Sequence, residues 1–323
     1  MVIGRPNLEV FAETLLHLAQ ANRDILVVTG DSRGSGKLGP FGKALPEQIV
    51  EVGIAEQSLV GISAGLASAG KKVFAVSPAC FLTARALEQI KNDVAYSDNP
   101  VKLIGISAGV SYGALGSTHH SLHDFAALQA INNLDIVAPA DNFETAAVIR
   151  AAVSYPRPIY IRFGKKPMAN LHDADSEFEI GKAIPLIEGD DVTFLAIGEP
   201  AAQAVMASKL LAGQGVAAGV ISIHTLKPLD TAALLAAARR SKAIITVEEH
   251  SVYGGLGSAV AALLMEEGIC VPFKSVAIPD EYTVTGSQSE IYQHYGISSQ
   301  GLLQTALHLL EKGSVSTEIR KSP

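Results

Sequence analysis

Cysteine is almost absent from this 323-residue chain: Cys80 and Cys270 lie far apart, with no CxxC or Cys/His metal spacing. A disulfide framework and a cysteine zinc site are therefore not written into it, and the pattern suits a reducing compartment and two small buried residues. Charge is scarce as well, with 18% Asp, Glu, Lys and Arg and a net charge of -7. No basic surface argues for nucleic acid, and no block of like charge argues for a tail. Long apolar runs are missing too, since no uninterrupted stretch reaches the roughly 18 residues needed to span a bilayer. Met1 to Asn7 has no apolar core of signal-peptide type. The chain is expected to avoid membranes and to work in the cytoplasm.

What is present is alternation. Hydrophobic residues make up 48% of the chain, and β-rich runs alternate with Ala/Leu-rich helical runs, the pattern of parallel sheets covered by helices on both faces. Strands are expected at Ile25 to Thr29, Ile49 to Val52, Val73 to Val76, Val101 to Ile106, Asp135 to Val137 and Pro158 to Arg162. Helices are expected near Leu8 to Ala21, Ala55 to Ser68, Leu82 to Ala95, Phe125 to Ile131 and Phe143 to Ser154. A second set runs Val192 to Ile197, Ala201 to Ala212, Ala218 to Ser222, Thr231 to Arg240, Ala243 to Val247, Ser258 to Glu267, Val271 to Val276 and Gly301 to Glu311. Between the sets, over Gly164 to Asp190, Pro167, Pro185 and scattered charges break the rhythm, and the stretch reads as a connector with short extended pieces. The expected fold class is α/β with two domains, each a mostly parallel sheet: a first domain over 1–165, a linker over 166–190 and a second domain over 191–323. About 150 residues per domain agrees. The end, Gly313 to Pro323, is polar and reads as frayed.

The most informative run is EVGIAEQSLVGISAGLASAG, Glu51 to Gly70. It places Glu56 at a strand-to-helix junction, with Leu59, Ile62 and Leu66 at helical spacing behind it. A carboxylate there either complements the helix dipole or grips a ligand. Spacing alone leaves both open.

GIAEQ followed by SAGLA resembles the segment of the transketolase family that carries the glutamate contacting the aminopyrimidine ring of thiamine diphosphate. SPACFLTARALEQIKNDVAY (Ser77 to Tyr96), GALGSTHH (Gly113 to His120), IVAPADNFE (Ile136 to Glu144), PIYIRFGKK (Pro158 to Lys166), LKPLD (Leu226 to Asp230) and TVEEHSVYGGLGSAV (Thr246 to Val260) follow in the family's order. The likeness covers roughly residues 8 to 312 and only the C-terminal half of a full transketolase, its pyrimidine-binding domain plus its last domain. The family's magnesium motif, Gly-Asp-Gly with a later Asn, has no match, because Gly30-Asp31 is followed by Ser32 and Gly189-Asp190 by Asp191. The resemblance therefore implies the C-terminal subunit of a split transketolase. Magnesium and the cofactor's diphosphate would be held by a separate N-terminal subunit, in a dimer of heterodimers, and this chain would hold no metal.

Residue by residue, the resemblance makes Glu56 the carboxyl on the pyrimidine nitrogen N1′, where it favours the tautomer through which the cofactor activates itself. Phe81 is the aromatic wall, although a core Phe at a helix start would look the same and an ungapped comparison places Ala79 there. Asp31 matches an acidic residue near the cofactor, or caps a turn. Ser35, His119 and Lys165 match residues that contact sugar hydroxyls or the distal phosphate. His119 is also the histidine expected to serve catalysis, against the alternative of a hydrated loop. Lys165 stands where an Arg is usual, which keeps the charge and loses the bidentate fork. Glu248, Glu249 and His250 beside the glycine turn read as structural or interfacial.

The implied activity is transfer of a two-carbon ketol unit from a ketose (phosphate) to an aldose phosphate. A 2-oxoacid dehydrogenase beta subunit shares the two-domain plan, and a nucleotide-binding regulatory module built on GGLGS is the non-enzyme alternative. One departure bears on the donor. Leu115 stands where related enzymes carry an Asp that accepts a hydrogen bond from a sugar hydroxyl. An unpartnered buried hydroxyl costs about 1–3 kcal/mol, so a branched, deoxy or otherwise altered ketose is expected.

Overall fold

β-Branched runs between Ala/Leu-rich helices assemble into two sheets, each mostly parallel with helices packed on it. The computed structural model describes residues 2–173 and 175–319, with side chains to residue 312. The first eight strands are β1 (Ile3–Pro6), β2 (Ile25–Thr29), β3 (Ile49–Glu51), β4 (Lys72–Pro78), β5 (Lys102–Ile106), β6 (Asp135–Val137), β7 (Ile159–Phe163) and β8 (Pro167–Ala169). The remaining six are β9 (Ile184–Ile187), β10 (Val192–Ala196), β11 (Ala218–Ser222), β12 (Thr225–Lys227), β13 (Ile244–Ser251) and β14 (Phe273–Ile278). One sheet has the order β12-β6-β7-β5-β4-β2-β3, with β12 alone antiparallel. The other runs β14-β13-β10-β11-β9, with β9 alone antiparallel. The α/β expectation holds.

The two halves are not separate bodies joined by a string. Strand β12 leaves the second half of the chain and pairs along β6 of the first sheet, Thr225 opposite Val137. One buried apolar cluster runs through both, from Val28, Leu59 and Leu103 to Leu195, Ile223 and Leu256. Each such side chain contributes roughly 1.5–3 kcal/mol on burial. Opening this seam would expose many of them together.

Several elements depart from expectation. The helix expected over Leu82 to Ala95 is broken, running Ala79–Arg85, then Leu87–Gln89, then a wide π turn over Ile90–Tyr96. Ala86 carries the break, with φ -105° and ψ 20°. Cys80 is buried, but Cys270 is exposed beyond the end of the helix Leu256–Glu266, which corrects the expectation of two buried cysteines. The connector over 166–190 keeps to expectation, with two short extended pieces, β8, which pairs with β1, and β9, which edges the second sheet. The last helix continues to Ile319, and 320–323 of the expected frayed tail lie outside the described residues. Among the described residues no helix is long and apolar enough to cross a membrane.

A buried imidazole ties the helix Asn142–Ser154 to its surroundings. His172 Nδ1 lies 3.0 Å from Asp141 Oδ2 and its Nε2 3.2 Å from Glu144 Oε1. Asp141 also caps that helix, accepting from Glu144 N. Burial opposes a charged ring here, but the Asp141 hydrogen bond and the charges of Asp141 and Glu144 outweigh it and raise His172 to about 9. A raised imidazole stabilises the fold fully below its ordinary value and loses that contribution as pH rises through about 9. Thermal unfolding followed against pH should therefore show Tm declining across this window, and His172→Gln should flatten the decline. Parallel curves for the two proteins would refute the assignment.

Candidate active site

Parallel sheets place ligands beyond the carboxyl ends of their strands, and five strand ends meet here. Asp31 follows β2, Glu56 follows β3, Phe81 follows β4, the loop with Tyr112 and His119 follows β5, and Lys165 follows β7. Strands β7, β5, β4, β2 and β3 are consecutive neighbours, so these residues form a row.

Glu56 opens the helix Glu56–Ser68 and is buried at 7% exposure. Arg85 Nη1 donates to both its oxygens, at 2.9 Å and 3.0 Å. The break at Ala86 ends the short helix just after Arg85, four residues beyond Phe81. One helical turn stacks that guanidinium on the Phe81 ring, 4.3 Å from its centroid. His119 stands edge-on to Phe81 at 5.3 Å and edge-on to Tyr112 at 5.3 Å. Lys165 Nζ lies 4.5 Å from the Tyr112 ring centroid. Glu56, Arg85, Phe81, His119, Tyr112 and Lys165 thus form one continuous chain of contacts with a carboxylate at one end and an ammonium at the other.

Electrostatics follow the row. Partial burial, aided by the charges of Lys37 and Lys166, lowers the Lys165 ammonium from its ordinary value. Burial raises the Tyr112 phenol, and the negative charge of Asp31 adds to the shift. Asp31 itself is exposed and opens a 3₁₀ turn, Asp31–Arg33. Ser35 is exposed beyond that turn, and its hydroxyl makes no hydrogen bond among the described residues. The structure brings Glu56, Phe81, His119 and Lys165 together, leaves Asp31 at the edge and leaves Ser35 outside the contacts. Leu115 sits on the 3₁₀ turn Gly113–Leu115 at 55% exposure.

The neighbouring histidines divide their work. His120 is buried, with Nε2 3.0 Å from Gly113 O and Nδ1 3.0 Å from Thr283 Oγ1, so it ties the loop to the second domain. His119 faces the rings. Motif reading did not single out Arg85 or Tyr112. The readable signal for Arg85 was its spacing one turn after Phe81.

The glycine turn after β13 is structural. Leu256 N and Gly257 N donate to the buried Glu248 carboxylate at 2.7 Å and 2.8 Å, which fills the start of the helix Leu256–Glu266. Those donors hold a side chain of the same domain, so the expected phosphate cradle of a nucleotide-binding module is already occupied.

Whether thiamine diphosphate fits can be asked of the side chains alone. A buried carboxylate at a helix start beside the partly exposed face of Phe81 matches an aminopyrimidine ring, which needs an acceptor for a ring N–H and an apolar wall. Arg85 takes one direction at each Glu56 oxygen, and a carboxylate has about four acceptor directions, so room for a ring N–H remains.

The pair itself is testable. With Arg85 about half exposed and Glu56 buried, a double-mutant cycle of Arg85→Met and Glu56→Gln followed by urea unfolding should give a coupling of about 1 kcal/mol. A coupling indistinguishable from zero would make the contact incidental.

Comparison with known proteins places the chain in a family. The family model "Transketolase, pyrimidine binding domain" matches residues 6–169, and "Transketolase, C-terminal domain" matches residues 181–302. The chain is similar to one of the subunits of the apulose-4-phosphate transketolase of Phocaeicola vulgatus, 48% identical over 303 residues that cover 94% of this chain and 96% of that protein. It is 33% identical to a 6-deoxy-6-sulfo-D-fructose transketolase subunit of a Clostridium species, over 94% of each chain. Among solved structures it resembles a split-gene transketolase in an inactive beta4 tetramer, with a TM-score of 0.86 at 35% identity over 95% of this chain and 99% of that one.

Proposed function

This chain belongs to the transketolase family, as a transferase subunit carrying the pyrimidine-binding and C-terminal domains, and on that premise we propose that it completes a thiamine-diphosphate site shared with an N-terminal partner subunit. The observation that carries the reading is Glu56, a buried carboxylate opening a helix beside the Phe81 ring. The partner would supply the diphosphate and magnesium site, for which this sequence has no Gly-Asp-Gly motif. Ile54, 74% exposed, and Leu115, 55% exposed, flank the same face. Apolar side chains left open on both sides of a site are what a second chain would cover. The assembly is proposed as a dimer of heterodimers in the cytoplasm.

The reaction is transfer of a two-carbon ketol unit from a ketose to an aldose phosphate. When bound, thiamine diphosphate supplies the electron sink that lets a carbon–carbon bond beside a carbonyl break. Glu56 would hold a hydrogen bond at the pyrimidine nitrogen N1′, and Phe81 would support the ring. Arg85 keeps the Glu56 carboxylate oriented and holds Phe81 in place. His119, fixed between Phe81 and Tyr112, is the group poised to donate to or accept from a sugar oxygen. Lys165, with Lys37 nearby in charge, would take the anionic end of the substrate. Asp31 is proposed at the cofactor's edge and Ser35 at the substrate's far end.

The donor is proposed to be an altered ketose, such as apulose 4-phosphate or a sulfonated sugar, because Leu115 removes a hydroxyl acceptor and the relatives carry those substrates in their names. Steady-state comparison of xylulose 5-phosphate with branched and sulfonated ketoses should favour the latter in kcat/KM. Leu115→Asp should recover roughly tenfold or more for xylulose 5-phosphate. Equal preference in both proteins would remove Leu115 from specificity.

Glu56→Ala should leave assembly with the partner intact while lowering turnover by ~10² to 10⁴, with proton exchange at the cofactor's reactive carbon slowed in parallel. The chain alone should transfer nothing until the partner is added. Robust activity of the lone polypeptide with thiamine diphosphate and magnesium would defeat the shared-site reading.

A further inference from the structure

The segment TVEEHS on β13 and the turn after β10 place two carboxylates that the proposed chemistry does not use. Glu199 and Glu249 are 5% and 3% exposed. Both leave the second domain and cross into the first. Glu249 Oε1 accepts from Val110 N at 2.9 Å, and Glu199 Oε1 accepts from Gly164 N at 3.0 Å. Val110 is two residues before Tyr112, and Gly164 is the residue before Lys165. The backbone is shaped for these entries. A Cβ on Gly164 would sit 2.0 Å from Glu199 Oε2, and one on Gly109 would sit 2.2 Å from Glu249 Cδ. No side chain larger than hydrogen leaves room at either position. Between the two carboxylates and Phe163 lies a small void of about 10 Å³, about the space of one water.

We propose that Glu199 and Glu249 are positioning residues for the anion-binding end of the site: each anchors one of the two loops, and together they hold the Lys165 ammonium over the Tyr112 ring. The inference rests on the proposed ketol transfer for its kinetic consequence, and on geometry alone for its structural one. A carboxyl that accepts a backbone N–H fixes that peptide plane, and the next side chain inherits its direction. Burial raises Glu199 to about 8, helped by the charge of Glu249. The titratable groups facing it are Glu249 on β13, Arg162 on β7 and Tyr292 on the helix Gln288–His294, and Asn7 and Gln288 complete its polar surroundings. Ionisation of Glu199 therefore sets two negative charges against each other beside the Lys165 loop.

The test has two arms. In the first, ¹³C-methylation of lysines in the isolated chain gives NMR signals, with that of Lys165 identified by its loss in Lys165→Arg. The parent signal should show the upfield ring-current displacement of a group lying over Tyr112. Glu199→Ala and Gly164→Ala should move it to the position of a free lysine, and Glu199→Gln, which keeps the acceptor oxygen, should restore it. In the second arm, with the partner subunit present, Glu199→Ala should raise KM for an anionic ketose about tenfold while kcat holds within about threefold. Glu199→Gln should keep KM near the parent's. A Lys165 signal unmoved in both alanine variants of a folded chain overturns the proposal. So does a fall in kcat as large as the rise in KM. A parent complex without ketol transfer would instead defeat the functional reading, and the NMR arm would still decide the positioning.

Discussion

A guanidinium buried where two domains meet is the constraint around which this molecule is arranged. Arg162 leaves β7 with 5% exposure, and an isolated charge there would be prohibitive. Both terminal nitrogens and the face of the group are engaged. Nη1 donates to Asp124 at 2.8 Å and 3.1 Å, Nη2 donates to Glu249 O at 2.8 Å, and the plane lies 4.0 Å from the Phe125 ring centroid. Asp124 accepts a further bond from Tyr160, and His250 stacks on the other contact of Arg162, Phe125. Burial presses Asp124 upward, but Arg162 and His250 outweigh it and hold the carboxyl below its ordinary range. Removing one partner of such a group typically costs about 3–5 kcal/mol, because the other is left uncompensated. The network can be satisfied only when β7, the helix Asp124–Gln129 and β13 keep one relative placement.

That placement has consequences at the strand ends. β13 fixed against β7 delivers Glu249 to Val110, and the adjoining β10 turn delivers Glu199 to Gly164. A domain without any residue in the row from Glu56 to Lys165 thereby governs the loops that carry one end of it. The other end depends on local structure only, through the break at Ala86 and the contact of Arg85 with Glu56. The two ends of the row are held by different physics: a helix-terminal ion pair near Phe81, and buried carboxylate-to-backbone bonds across a domain junction near Lys165.

This division explains what was legible in the sequence. The parallel sheets were readable because their strands are buried on both faces and therefore read as near-continuous apolar runs, as in ILVVT over β2. Glu56 was readable because its strand and helix are local neighbours. The elements that were missed are edge pieces or depart from the alternation. Strand β12 gains its identity from pairing with β6, about ninety residues away in sequence. The helix Gln288–His294 announced itself only through a capping box, Ser287 with Glu290, too short a signal beside a weak apolar stripe. Arg85 was hidden because a half-exposed arginine on a helix is ordinary until its neighbour across the fold is known.

The glutamate pair in TVEEHS shows why adjacent identical residues cannot be read alike. Along a strand, successive side chains point to opposite faces. Glu248 therefore turns back to its own domain and caps the helix Leu256–Glu266, while Glu249 faces the first domain and receives Val110 N. Burial raises both carboxyls, with Arg162 opposing the shift at each. A substitution of either to a neutral isostere removes the same charge from the composition but acts on a different loop. Glu248 governs the second domain's helix start, and Glu249 the first domain's approach to Tyr112. The pleat converts a repeated letter in the sequence into two unrelated mechanical connections, and only the second of them reaches the row of side chains ending at Lys165.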